Sequence, residues 1–225
     1  MLMDLHPCRY QTAANVKPRA AQWRRTKETA MTAQTLFALA GLAPQPARLP
    51  AAPLVLIDCQ YEYLDGRLAL PGIDAPLAVI ARLLAAARAG GGRIIHVAHR
   101  GKPGDTFDRR GRGGAFIDAV APIAGEVVVE KTFANAFAGT DLATHLPDGG
   151  PLVLVGFMTH NCISSTARAA VERGFLPTII GEACATRDLP DGAGGVVPAD
   201  VVHRIELVAL ADRHAVVAGP EEVVG

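Results

Sequence analysis

Aromatic residues are scarce in this 225-residue chain, at 5% with a single tryptophan, and neither sign of charge dominates, with 22 Lys plus Arg against 22 Asp plus Glu. A surface that coats nucleic acid carries a basic surplus, so that partner class is not expected. No apolar run reaches the roughly 20 residues needed to span a membrane, so no membrane partner is expected either. The four cysteines (Cys8, Cys59, Cys162 and Cys184) contain no CxxC and no zinc-like spacing. Cys59 and Cys184 sit in or beside apolar runs, where a thiol behaves as a small hydrophobe, which points to a reducing, cytoplasmic setting without disulfides. Nucleotide-binding signatures are missing as well. The first apolar run leads into DCQYEYLDG rather than GxGxxG, and the GRGG stretch lacks the GxxxxGK[ST] layout.

Half of the residues are apolar, enough for one sizeable core. The first thirty stand apart, with Arg9, Lys17, Arg19, Arg24, Arg25 and Lys27 against Asp4 and Glu28, and no hydrophobic period. They read as a disordered extension, residues 1–30, ahead of a single domain over 31–225 that Met31 could open. An Arg-rich organelle leader is the alternative.

From Leu54 onward, apolar runs alternate with helical stretches. Strands are expected at Leu54–Asp58, Arg93–Ala98, Glu126–Glu130, Leu152–Val155, Leu176–Ile180 and Ala215–Ala218, each nearly continuous in apolar residues, as parallel strands buried on both faces are. Helices are expected at Thr32–Leu39, Ala75–Ala89, Ala115–Ala121, Thr140–His145, Cys162–Arg173 and Ala199–Asp212, with Gly90-Gly91-Gly92 capping the second. The alternation implies an α/β fold: an open, mostly parallel six-stranded sheet with helices on both sides, a three-layer αβα sandwich. Two long segments remain. Arg100–Gly114, rich in glycine and charge, reads as a flexible cover, and Ala185–Pro198 as one wall of a cleft.

Ligands of such sheets bind at the carboxyl ends of the strands, near the point where strand order reverses. That edge would gather Asp58, Lys131 and Cys162. Singly, each has an ordinary reading: a turn cap, a solvated charge, a buried thiol. Together they suit covalent catalysis. The link after Gly156 delivers Cys162 to the first turn of a helix, where unpaired N–H groups and the dipole favour a thiolate. Asp58 would take the thiol proton, Lys131 would stabilise both anions, and Cys162 would attack a carbonyl carbon. Backbone N–H groups at the helix start would meet the oxyanion. Asp58 would then protonate the leaving amine and activate water to release the acyl group from its thioester.

These residues resemble those of the isochorismatase-like cysteine hydrolases, whose members include nicotinamidases and N-carbamoylsarcosine and ureidoacrylate amidohydrolases. The resemblance runs from about Leu54 to Ala218. LVLIDCQYEY is similar to the family's first strand, with its Asp at Asp58 and a Gln at Gln60. VVVEKTFANAFAGTDL is similar to the lysine segment, with Lys131 and Asn135–Phe137, and VGFMTHNCISSTARAA to the nucleophile segment. The resemblance implies a cis peptide at Phe157–Met158 that turns the Met158 N–H toward the oxyanion met by the Cys162 N–H. It also implies a homodimer or homotetramer acting on a small-molecule amide, without a cofactor. Tyr63 falls where nicotinamidases stack an aromatic on substrate, or is ordinary packing. HVAHRGKPG holds His96 and His99 but not the acid of the nicotinamidase Asp-x-His pair, and Arg100 and Lys102 add positive charge; no metal is therefore expected. Arg100 either faces a substrate carboxylate or is a solvated charge. Gln60, Asn135, Phe137, His99, Thr159 and His160 complete the candidate substrate contacts. Thr159 reads more readily as bonding its own loop, and His160 as packing near the cleft or a subunit contact. Thr186 and Arg187 read as braces. Two other functions stay open: vinyl-ether hydrolysis, which needs no thiol nucleophile, and a non-catalytic or redox-responsive role.

Overall fold

The computed structural model describes residues 32–224, and residues 34–225 form one compact unit. The extension expected over residues 1–30 lies outside the described residues. Chain order gives α1 (Leu36–Leu39), β1 (Leu54–Ile57), α2 (Asp74–Ala89), β2 (Ile94–His99), β3 (Val127–Lys131), β4 (Gly150–Phe157), α3 (Ser164–Val171), β5 (Phe175–Ala185), β6 (Leu189–Pro190), β7 (Val196–Val197), α4 (Ala199–Arg213) and β8 (Val216–Ala218). Six strands pair in parallel in the order β3-β2-β1-β4-β5-β8. No described helix is long and apolar enough to cross a membrane.

The sheet forms because its central strands have nowhere polar to face. All four residues of β1 are buried, and so are the last six of β4. Successive side chains point to opposite faces, so each strand feeds two cores. Leu54, Leu56, Val153 and Val155 pack beneath α2, whose Leu77, Ile80, Leu83, Leu84 and Ala87 share one helix face. Val55, Ile57, Leu152 and Leu154 pack on the other side with Ala167 and Ala170 of α3 and Leu210 of α4. Three layers result. The glycine stop after α2 works as expected: Gly91 has φ +68°, and the Gly92 N–H donates to Ala87 O at 2.8 Å.

Several elements depart from expectation. Ala115–Ala121 and Thr140–His145 are not α-helices; they hold only 3₁₀ turns at Asp118–Val120 and Leu142–His145. Pro122 and Pro147 follow within two residues, and so short a stretch cannot meet the cost of α-helix nucleation. The β2–β3 crossover therefore contains no α-helix. Helix α1 starts only at Leu36, where Thr35 caps it by accepting from the Ala38 N–H at 3.1 Å. The 185–198 segment contains the antiparallel pair β6–β7. Arg100–Gly114 is anchored rather than free. The residues that follow it pair back onto the end of β1, Tyr61 N–H to Ala115 O at 3.0 Å and Ile117 N–H to Cys59 O at 3.0 Å. Within it, Arg112 pairs with Asp65 at 2.5 Å and lies 3.7 Å over the Tyr61 ring, while Arg109 reaches Glu130 at 3.0 Å.

Candidate active site

Strand order reverses between β1 and β4, and the chemistry-bearing residues gather at that carboxyl edge. Asp58 is the first residue past β1 and sits at φ +52°, in the left-handed region, with its N–H on Val97 O at 2.8 Å. A non-glycine residue there is uncommon and costs on the order of 1 kcal/mol, so the neighbouring strands must hold it in place. Lys131 closes β3, in register with His99 of β2. β4 shifts register between Leu154 and Gly156, and Gly156 adopts φ +117°. A Cβ on Gly156 would lie 2.1 Å from Ile57 O, so only glycine lets this strand run so close to β1. The Phe157–Met158 peptide is cis. A π-helical turn, Thr159–Ile163, then carries Cys162, and α3 begins only at Ser164. Cys162 thus stands in a turn ahead of the α-helix rather than in its first turn. Such turns are rare and concentrate at functional sites.

The three groups meet around one ammonium. Lys131 Nζ lies 2.7 Å from Asp58 Oδ2 and 3.3 Å from Cys162 Sγ, and it also donates to Phe133 O at 3.1 Å. A fourth neighbour is His99 Nδ1 at 3.2 Å. Asp58, Lys131 and Cys162 are 0%, 1% and 3% exposed, so water scarcely screens them. Asp58 Oδ2 is paired with the Lys131 ammonium, while Oδ1 has no hydrogen-bond partner among the described residues, which leaves it free to receive a proton. Burial opposes the charge on Lys131, but Asp58 and then Cys162 outweigh it and raise its proton affinity. For Cys162, burial comes first and the Asp58 charge second; despite Lys131, they push the thiol up to about 12. Burial beside a carboxylate thus favours the thiol, against the expectation of a resting thiolate.

Asp58, His99 and Cys162 bring donor atoms of metal-binding type within 4.8 Å of one another. Lys131 Nζ touches all three, so the group already surrounds a cation.

The remaining candidates divide. His99 belongs to the cluster. Gln60 is fully buried, but both its amide hydrogens go to backbone oxygens, of His99 and Gly114, each at 2.9 Å, and its oxygen accepts from the His99 N–H at 2.7 Å. It grips the end of β2 and has no donor left for a substrate. Tyr63 is 2% exposed and packs edge-on against Phe107 and Phe157, which favours the packing reading. Asn135 and Phe137 do not belong to the cluster. Asn135 Oδ1 accepts from the Phe137 N–H at 2.9 Å, and the Phe137 ring stacks on Phe175, at the opposite, amino end of β5. Arg100 turns outward, its side chain 58% exposed and 3.6 Å from Glu130. Thr159 bonds His203 of α4 at 2.8 Å instead of its own loop, and His160 Nδ1 bonds the Thr186 hydroxyl. One residue read only as a brace gains importance. Among the described residues the buried Nε of Arg187 has no partner, though its Nη1 donates to Asp188 O at 3.2 Å, and its charge reaches Tyr63 and His160. Position alone, at the carboxyl end of β5, was its sequence signal.

Residues 52–214 match the isochorismatase domain, and the chain belongs to that family of hydrolases. Among its relatives, a secreted isochorismatase effector of Verticillium dahliae is 34% identical over 81% of this chain and 95% of its own length. A maleamate amidohydrolase of Pseudomonas putida is 35% identical over 62% of this chain and 74% of its own. The crystal structure of an isochorismatase from Pseudomonas putida superimposes with a TM-score of 0.81 at 42% identity, covering 86% of this chain and all of that one, 100%.

Proposed function

We propose that this protein cleaves a C–N bond of a small-molecule amide through an acyl thioester on Cys162. The observation that carries the reading is the buried ammonium of Lys131, held between the Asp58 carboxylate and the Cys162 sulfur. Because burial and then Asp58 push the thiol up, the proton leaves as the carbon–sulfur bond forms. Asp58 receives that proton, and Lys131 keeps the carboxylate and the nascent thiolate from repelling each other. The oxyanion is met by the backbone N–H groups of Met158 and Cys162. Asp58 then gives its proton to the departing amine and removes one from the water that hydrolyses the thioester. The positive charge this sequence needs comes from Lys131. The maleamate-cleaving relative supports an amide as substrate.

The Nε of half-buried Arg187, without a partner among the described residues while its Nη1 donates to Asp188 O at 3.2 Å, supports an acidic group on that substrate, since a guanidinium donor is well satisfied by a carboxylate. Arg187→Met should raise KM for an acidic amide by about tenfold or more and change kcat little, at roughly 1.4 kcal/mol per decade. An unchanged KM removes Arg187 from the site.

The mechanism itself is tested by screening amides of small acids, carbamoyl compounds and nicotinamide for ammonia release, then assaying Cys162→Ala on the best. Turnover should fall on the order of 10⁴-fold or more, and wild-type enzyme quenched mid-reaction should show the acyl mass on the Cys162 peptide. Near-wild-type turnover by Cys162→Ala rejects the mechanism. The name of the Verticillium relative favours a second reading, vinyl-ether hydrolysis. A vinyl-ether substrate consumed without any covalent adduct decides for it.

A further inference from the structure

His99 is held more firmly than a chance neighbour of the lysine needs to be. Gln60 clamps its peptide from both sides, accepting from the N–H at 2.7 Å and donating to the carbonyl at 2.9 Å. The ring packs against Phe107 with centroids 5.1 Å apart. Pairing of β2 with β3 sets His99 beside Lys131, and the clamp fixes the imidazole so that Nδ1 lies 3.2 Å from Nζ. An ammonium has three hydrogens, and here four atoms surround it. The Nδ1 contact is attractive only if that nitrogen carries its lone pair, which places the ring proton on Nε2. We propose that neutral His99 is a positioning residue that holds the Lys131 ammonium between Asp58 and Cys162, and that protonating His99 switches the reaction off.

Charge around the ring favours such a switch. Lys131 stands on one side, with Asp58 and Cys162 behind it. Arg100, Lys102, Asp108, Arg109 and Arg110 line with His99 a cavity of about 580 Å³. Glu130 pairs with Arg100 and Arg109, and Asp108 with Arg110, so a cationic excess remains on that side. Burial first, and then Lys131, lower the proton affinity of His99, with Asp58 a partial offset. The imidazole is therefore neutral at pH 7 and takes a proton only below its ordinary value of 6.5. Once protonated it offers no lone pair and sets a second cation against the ammonium, which then leaves its place beside Asp58 and Cys162.

The inference rests on the role proposed above for Lys131, and it has its own test. The pH dependence of kcat and KM is measured on a substrate the wild type turns over, for wild type, His99→Ala and His99→Asn, with folding checked by circular dichroism. The Asn amide oxygen offers an acceptor near the position of Nδ1 and does not titrate. Wild type should lose kcat on acidification with a midpoint below 6.5. His99→Ala should lose about 10²-fold in kcat near pH 7.5, the lower end of what a positioned proton-transfer system supplies, with KM little altered. His99→Asn should recover at least about tenfold of that loss and lack the acid limb. An acid limb in His99→Asn that coincides with that of wild type shows that His99 is not the titrating group and overturns the proposal, as does an undiminished kcat in His99→Ala. If His99→Ala does not fold, the profile of the Asn variant decides. Loss of the acyl adduct on Cys162 would instead strike the proposed mechanism, whatever the profiles of the His99 variants.

Discussion

Asp58 and Cys162 act on each other in opposite directions at different stages of the proposed reaction. In the resting site the carboxylate, after burial, is what keeps the sulfur protonated. During attack the same carboxylate accepts the sulfur's proton. Asp58→Asn should therefore separate two properties that usually travel together. Thiolate absorbance in the ultraviolet, followed against pH, should appear at lower pH than in wild type, because a repelling charge has been removed. Turnover should nonetheless fall about 10²–10⁴-fold, because the proton has nowhere to go. A thiol that ionises more easily in an enzyme that works less well is the expected outcome. Unchanged absorbance would mean that Asp58 does not act on the sulfur. The position of all three residues was legible in the sequence, because strand ends are easily read from apolar runs. The ionisation of the thiol was not, since it depends on burial and on a carboxylate distant in the chain.

At the scale of elements, one half-buried cluster ties α2, β2 and the turn before β3 together. Arg88 donates to Glu126 at 2.7 and 2.9 Å, and His96 Nε2 meets the same carboxylate at 2.8 Å. Burial raises the proton affinity of Glu126, but Arg88, the Ile123 N–H and His96 outweigh it and bring its carboxyl from 4.5 to about 2. A lowered folded value means stability that is complete above 4.5 and is lost as pH falls toward 2. His96, fully buried, is also lowered, by burial first, so its contribution is complete above 6.5 and declines below it. Thermal unfolding of Glu126→Gln at neutral pH should show a loss of about 1–3 kcal/mol, and its Tm should fall less steeply than that of wild type between about pH 4.5 and 2.5. Parallel Tm–pH curves would show that Glu126 is not the linked group. This scale is also where sequence reading failed most. Ala115–Ala121 looks helical to a hydrophobic count, and only Pro122 argues otherwise. The β6–β7 pair is two residues per strand, too short for any period to register.

For the whole molecule, the layer order and the carboxyl-edge rule carried most of the inference, since alternating runs leave few topologies to choose among. The sheet order then brings residues separated by up to 104 positions, from Asp58 to Cys162, around a single nitrogen. What stayed illegible was direction. Asn135 and Phe137 lie four and six residues past Lys131, yet the ring of Phe137 packs at the far end of β5. Arg187, far along the chain from Tyr63 and His160, has its charge felt at both. Adjacency in sequence does not carry over to adjacency in space for loops.

Under the proposed mechanism, burial of the sulfur, 3% exposed, together with the raised proton affinity that burial and Asp58 give it, also bears on how long the enzyme lasts. Oxidants and electrophiles consume thiolates, and a nucleophile that exists only while a substrate occupies its pocket offers them no standing target. With Cys162 in the proposed role, the protein thereby stores a reactive element in latent form, much as a safety catch allows a loaded device to be carried.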